Sequence, residues 1–153
     1  MQNGERDNVE LCDVSGFRVG VVAARFNRQI ADKLLANARE ELTHLGIVEK
    51  NIRVVRVAGS VEIPLALQLL AETNQYDALV ALGVVIRGET PHFDYVCKIT
   101  SEGVLRVTLD HKIPVGFGVL TLTDEAQAWE RVKSASHAVR AALELACLKK
   151  NKE

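Results

Sequence analysis

Residues 78–86 read Ala78-Leu79-Val80-Ala81-Leu82-Gly83-Val84-Val85-Ile86, an apolar run with no polar interruption. A strand with one wet face alternates apolar and polar residues, so an unbroken run marks a strand covered on both faces. Such strands belong to parallel sheets with crossover helices above and below. The flanking sequence fits that arrangement. Residues 17–24 and 114–121 are further short apolar runs, and residues 52–58 are rich in β-branched side chains. Between the runs lie helical stripes. Residues 28–45 carry Ile30, Leu34, Ala38, Leu42 and Leu45 on one face, and Gly46 stands where such a helix stops. Residues 61–73 read as a helix with Ser60 as N-cap and Pro64 in the first turn, where a missing N–H has no helical partner to lose.

Thr90 and Pro91 read as an N-cap and the first helical position after it. The helix they open turns Phe93, Val96, Cys97, Val104 and Val107 inward and ends near His111. Residues 124–148 read as one last helix, with Trp129, Val132, Val139, Leu143 and Ala146 toward the core. Four β–α units predict an α/β fold: a three-layer αβα sandwich around a four-stranded, mainly parallel, flavodoxin-like sheet of order 2-1-3-4. The whole chain, 1–153, is expected to form one domain, with residues 1–15 a polar N-terminal arm and residues 149–153 a frayed tail.

Composition excludes several classes. Lys and Arg number 19 against 20 Asp and Glu, so the basic excess of a nucleic-acid binder is missing. No apolar run approaches the roughly 20 residues that span a bilayer, so no membrane partner is expected. Met1 to Ser15 lacks the apolar centre of a secretory signal, and a cytoplasmic location follows as the expectation. Cys12, Cys97 and Cys147 are odd in number, far apart and form no C-x-x-C, which reads as reduced thiols. His44, His92, His111 and His137 show no ligand spacing, so no metal is expected.

In open parallel sheets, ligands bind beyond the carboxyl ends of the strands, near the point where strand order reverses. Three segments fall there: Arg25-Phe26-Asn27, Gly59-Ser60-Val61-Glu62, and the stretch from Ile86 to Tyr95. Phe26 reads locally either as a core aromatic at a helix entry or as a platform for a flat heterocycle. Glu62 suits the positive end of a helix, and equally suits accepting hydrogen bonds from hydroxyl groups. His92 begins a helix whose positive end disfavours a charged imidazole, and a neutral imidazole can shuttle protons near pH 7. Asp94 counteracts that effect. A solvated histidine at a helix start is the alternative.

The stretch Gly83-Val84-Val85-Ile86-Arg87-Gly88-Glu89-Thr90-Pro91-His92-Phe93-Asp94-Tyr95-Val96 closely resembles the signature of the lumazine synthases, enzymes of riboflavin biosynthesis. Ala24-Arg25-Phe26-Asn27, Gly59 to Pro64, Pro114 to Thr121, and Gln127-Ala128 with Arg131 fit the same family in the same order. The resemblance implies condensation of 5-amino-6-(D-ribitylamino)uracil with 3,4-dihydroxy-2-butanone 4-phosphate, without metal or organic cofactor. It implies that Phe26, beside Asn27, stacks on the pyrimidine. Ser60, Val61 and Glu62 then hold the ribityl chain, and Val84, Val85 and Ile86 bind the uracil through backbone groups. Glu89 and Thr90 face the phosphate, His92 is the proton donor, and Arg131 binds phosphate. Phe117, by local reading a core or interface residue, matches an aromatic that reaches the neighbouring subunit's site. That implies a homopentamer, which in some members closes into a 60-mer shell.

Two departures from the family pattern stand out. No glycine follows Arg131, and Val139 occupies the position where many members carry a substrate-side lysine, with Lys133, His137 and Arg140 as nearby replacements. These changes bear on shell assembly and on one substrate contact. Ser60-Val61 replaces a commoner small-then-aromatic pair and loosens that wall of the pocket. A relative that binds lumazine or riboflavin with little turnover, or serves as a shell, is the alternative function. An FMN carrier or phosphorelay receiver would share the fold but leave residues 83–96 unexplained.

Overall fold

A computed structural model of the chain describes residues 9–152. Its elements follow in the order β1 (Val19–Ala24), α1 (Arg28–His44), β2 (Ile52–Val57), α2 (Ile63–Glu72), β3 (Ala78–Ile86), α3 (His92–His111), β4 (Val115–Leu122), α4 (Glu125–Glu130) and α5 (Ser134–Asn151). The four strands form one parallel sheet of order β2-β1-β3-β4. This is the expected flavodoxin-like, three-layer arrangement.

The period-2 geometry of a strand divides the core in two. Val19, Val21, Ala23, Val80, Leu82 and Val84 face α1 and α5, packing with Leu34, Leu42, Val139 and Leu143. Val22, Ala24, Leu79, Ala81 and Val85 face α2 and α3, packing with Ile63, Leu67, Val104 and Val107. β3 pairs with β1 on one side and β4 on the other, so both its faces and both its edges are covered over most of its length. That is why its sequence is apolar throughout.

Local signals set the helix ends. Gly46, at φ 95°, closes α1 as anticipated: its N–H donates to the Thr43 carbonyl, and the Ile47 N–H donates to that of Leu42. Leu42 and Ile47 are both buried, which completes the hydrophobic contact of this stop motif. Gly116 meets a different demand. A Cβ there would lie 2.2 Å from the Ala138 carbonyl oxygen, so α5 rests on β4 at a distance only a hydrogen permits.

Four expectations change. The last helix is two helices, broken at residues 131–133. The Ser136 N–H, at the start of α5, donates to Asn37 Oδ1 at 2.9 Å. That cap comes from α1, 99 residues away, and no local pattern reveals it. Trp129 consequently lies on the outer side of the short α4, exposed, with its indole N–H 3.4 Å from Glu125 Oε1. The end of the chain is ordered further than foreseen: α5 runs to Asn151, Lys149 Nζ donates to the Lys112 carbonyl, and Lys150 lies over the Phe17 ring.

The cysteines change most. Cys12 and Cys147 form a disulfide, with Cα atoms 5.8 Å apart, and only Cys97 is free. Sequence spacing could not show this, because the arm folds back along α5. Leu11 and Cys12 pack against the core, Val14 is buried in it, and Arg140 Nη2 donates to the Val9 carbonyl at 3.5 Å. The rest of the anticipated arm, residues 1–8, lies outside the described residues, as does Glu153. Among the described residues no helix is long and apolar enough to cross a membrane.

Candidate active site

All four strands point the same way, so the loops after Ala24, Val57, Ile86 and Leu122 share one edge of the sheet. The ladder is uneven there. Pairing of β3 with β1 stops at Leu82, whereas pairing with β4 continues through Ile86. The β1-facing backbone of Val84, Val85 and Ile86 therefore lies beyond the ladder. Asn27 partly fills the gap. It is held in the left-handed region (φ 59°, ψ 54°), which Asn tolerates better than most residues, and its Nδ2 donates to the Val84 carbonyl at 3.2 Å. Of the two local readings of Phe26, the core aromatic fails: the side chain is 69% exposed, two residues after the end of a fully buried strand.

The loop after β2 enters its helix differently from the expected Ser60 cap. Residues Ser60–Glu62 make one 3-10 turn before α2. The cap is Glu62, whose Oε2 accepts from the Gly59 N–H at 3.0 Å. Ser60 is turned inward instead. It is only 6% exposed, its hydroxyl has no partner among the described residues, and it packs on Gly83, where a Cβ would come within 2.6 Å of Oγ. A buried hydroxyl without a partner is destabilising unless a ligand or water satisfies it. Val61 and Glu62 are exposed beside it.

After β3, residues 87–91 lead into α3. Glu89, Thr90 and His92 are exposed, and His92 is the first residue of this helix. Thr90 Oγ1 accepts from the His92 N–H at 3.4 Å, a long version of the anticipated cap. The helix's unpaired N–H groups and its positive end face this loop, an arrangement that receives anions. Arg87 follows β3 directly. Its guanidinium pairs with Asp94 Oδ1 at 3.2 Å and lies over the Phe93 ring at 4.6 Å. The Asp94 carboxylate is thereby engaged by Arg87. Beside this pair, burial pushes the Cys97 thiol up; the negative charge of Asp94 adds to the effect and Arg87 offsets it.

The loop after β4 is built by Asp124 and Gln127. Asp124 Oδ1 accepts from the Gln127 N–H, and Gln127 Oε1 accepts from the N–H and hydroxyl of Thr123, each at 2.9 Å. The D-x-x-Q spacing is a capping signature that local reading could have found. Arg131 follows at the break between α4 and α5, with Nη1 donating to the Gln127 carbonyl and 3.7 Å from Glu130 Oε2. The residues considered as a replacement lysine are dispersed. Val139 is fully buried against the sheet and cannot face a ligand. Arg140 pairs with Glu41. Lys133 is exposed two residues after Arg131, and His137 is exposed on the first turn of α5.

Phe117 stands apart from these groups. It lies on edge strand β4 opposite Ala81, five residues before Ile86 in the ladder, or about 16 Å along the strand. It is 45% exposed. Among the described residues no group of three His, Cys, Asp or Glu side chains is arranged to hold a metal ion.

A family model described as 6,7-dimethyl-8-ribityllumazine synthase matches residues 16–150. Proteins bearing that name from Paracidovorax citrulli (strain AAC00-1) and Leptothrix cholodnii are 46% and 44% identical over 149 residues, covering 97% of both chains in each case. One from Desulfovibrio desulfuricans is 48% identical over 122 residues, 80% of this chain and 78% of its own. With a match that spans nearly every element and relatives of equal length, the chain belongs to the 6,7-dimethyl-8-ribityllumazine synthase family.

Proposed function

We infer that the protein condenses 5-amino-6-(D-ribitylamino)uracil with 3,4-dihydroxy-2-butanone 4-phosphate to form 6,7-dimethyl-8-ribityllumazine. The observation that carries this reading is Phe26: an exposed ring at the end of a buried strand, beside a backbone edge of β3 that lies beyond the ladder. A ring and a parallel row of backbone donors and acceptors together suit a flat, polar heterocycle. The uracil stacks on Phe26 and bonds to the edge at Val84, Val85 and Ile86, with Asn27 fixing that edge. The ribityl hydroxyls meet Ser60, Val61 and Glu62, where the Ser60 hydroxyl gains a partner. The phosphate lies over Glu89, Thr90 and the start of α3, with Arg131 as counter-charge.

The chemistry follows from these positions. The uracil amine attacks the ketone, and water leaves as the imine forms. Phosphate is then eliminated, and ring closure expels a second water. Imine formation and elimination both require protons to be moved, and the exposed His92 imidazole beside the phosphate loop is suited to moving them. The rest of the acceleration comes from holding two reactants in one orientation. Phe117 contributes to the site of a neighbouring subunit in a homopentamer, because in its own subunit it is exposed and remote. Leu65 and Leu69 on α2, and Ile99, Leu105 and Leu109 on α3, are also exposed and supply apolar surface for that assembly. The proposed location is the cytoplasm.

Incubation with both substrates, followed by lumazine fluorescence and phosphate release, tests the reading. Saturable formation of both products is expected. Flavin or lumazine binding without turnover would move the protein to a binding role. Sedimentation separates the pentamer from a 60-mer, and a stable monomer would refute the shared site.

A further inference from the structure

The loop that carries His92 is closed by side chains as well as by backbone. Arg87 is the first residue after β3, and its N–H donates to the Leu122 carbonyl at 2.8 Å, which fixes its backbone to the end of β4. Its guanidinium reaches across to the first turn of α3. There it pairs with Asp94 at 3.2 Å and covers the Phe93 ring at 4.6 Å. The Asp94 N–H in turn donates to the Pro91 carbonyl at 3.0 Å. Gly88 has nothing within 4 Å of where a Cβ would stand, so no packing holds the intervening loop from that side. Residues 88–91 and His92 thus span a bridge whose two ends are tied by one ion pair.

The pair is 47% and 60% exposed, and so open an ion pair adds little to stability. Its geometry matters more. A guanidinium next to a phosphate loop would ordinarily be free to bind phosphate, and a carboxylate there would repel it. Each group is turned to the other instead. We propose that Arg87 and Asp94 are positioning residues, a clasp that holds loop 88–91 and His92 in register with the β3 edge and keeps both charges off the phosphate substrate. This rests on the functional reading above.

The clasp makes the two halves unequal. In Arg87→Gln the carboxylate is uncovered beside the phosphate loop. The KM for the butanone phosphate should rise about tenfold while the KM for the uracil stays near wild type. In Asp94→Asn the guanidinium is released and attracts phosphate to the wrong place. The KM for the butanone phosphate should hold or fall, while kcat falls about tenfold. The double variant Arg87→Gln/Asp94→Asn should return the KM toward wild type with kcat still low. Melting temperatures should stay close to wild type in all three.

A second readout does not depend on turnover. Burial raises the Cys97 thiol most, the Asp94 charge raises it further and Arg87 lowers it, so its alkylation by iodoacetamide should quicken in Asp94→Asn and slow in Arg87→Gln. Kinetics like wild type in both single variants, equal changes in both KM values, or unaltered Cys97 rates would overturn the clasp. A wild-type enzyme without turnover would instead remove the functional reading, while non-additive Cys97 rates across the two single variants and the double variant still report whether the pair forms.

Discussion

Reduction of the Cys12–Cys147 disulfide should lower stability substantially and leave the chemistry intact. The bridge joins positions 135 residues apart, so it constrains nearly the whole unfolded chain. The chain-entropy model gives about 5 kcal/mol for a loop of that length at 25 °C, an upper figure since measured effects often fall below it. For a domain of this size, 1 kcal/mol moves the melting temperature by about 2–4 °C, so reduction should lower it by about 10–20 °C. The bridge sits at the far end of α5, near Phe17 and Lys112, which precede β1 and β4. The candidate site occupies the opposite edge of the sheet, so turnover per folded molecule should not change. The assay is thermal unfolding by circular dichroism with and without reductant, in a Cys97→Ser background that prevents thiol exchange. Cys12→Ala should match the reduced protein and be insensitive to reductant. A shift under about 3 °C would refute the entropic reasoning. Three thiols titrating in unreduced, denatured wild type would refute the bridge itself.

Other consequences are as direct. His92→Ala should lower kcat by about 10² while leaving the melting temperature unchanged, because the side chain is exposed; unchanged turnover would remove it from the mechanism. Gly116→Ala should destabilise by about 1–3 kcal/mol or more in urea unfolding, since the new methyl meets the Ala138 carbonyl and not a movable side chain. Leu34→Ala, at a fully buried position, should lose about 2–5 kcal/mol by the same measurement. In native protein, the alkylation rate of Cys97 should rise with pH along a curve displaced above that of glutathione, because burial and Asp94 disfavour the thiolate; a curve displaced below it would contradict the environment described.

The fold was legible because each strand declared its burial. The unbroken run at 78–86 required two covering layers, and Gly46 marked a helix stop that the structure realises in detail. The candidate loops were legible for a related reason: parallel strands bring all their carboxyl ends to one edge. What stayed hidden depends on contacts between distant segments. The break after Arg131 depends on an amide from α1, and the disulfide on an arm folding back. Charge partners were equally invisible. Asp94 looked like a group acting on His92 until Arg87 proved to hold it, whereas Val139, read from its helical stripe as a core residue, is enclosed by the core.

The overrun of β3 past β1 has a consequence for how the site can change. The edge at 84–86 is made of peptide groups, and peptide groups are the same in every residue except proline. Substitution of Val84, Val85 or Ile86 by another apolar residue therefore leaves the donor and acceptor pattern as it was. Sequence drift can alter the walls of the pocket, and an inhibitor that depends on those walls can lose its grip. One that reads the strand edge makes contacts that side-chain mutation does not remove. The same strand has neighbours on both sides from Leu79 to Leu82, so the amides there should be among the last to exchange with deuterium, and a ligand at 84–86 meets an edge that continues a firmly held strand.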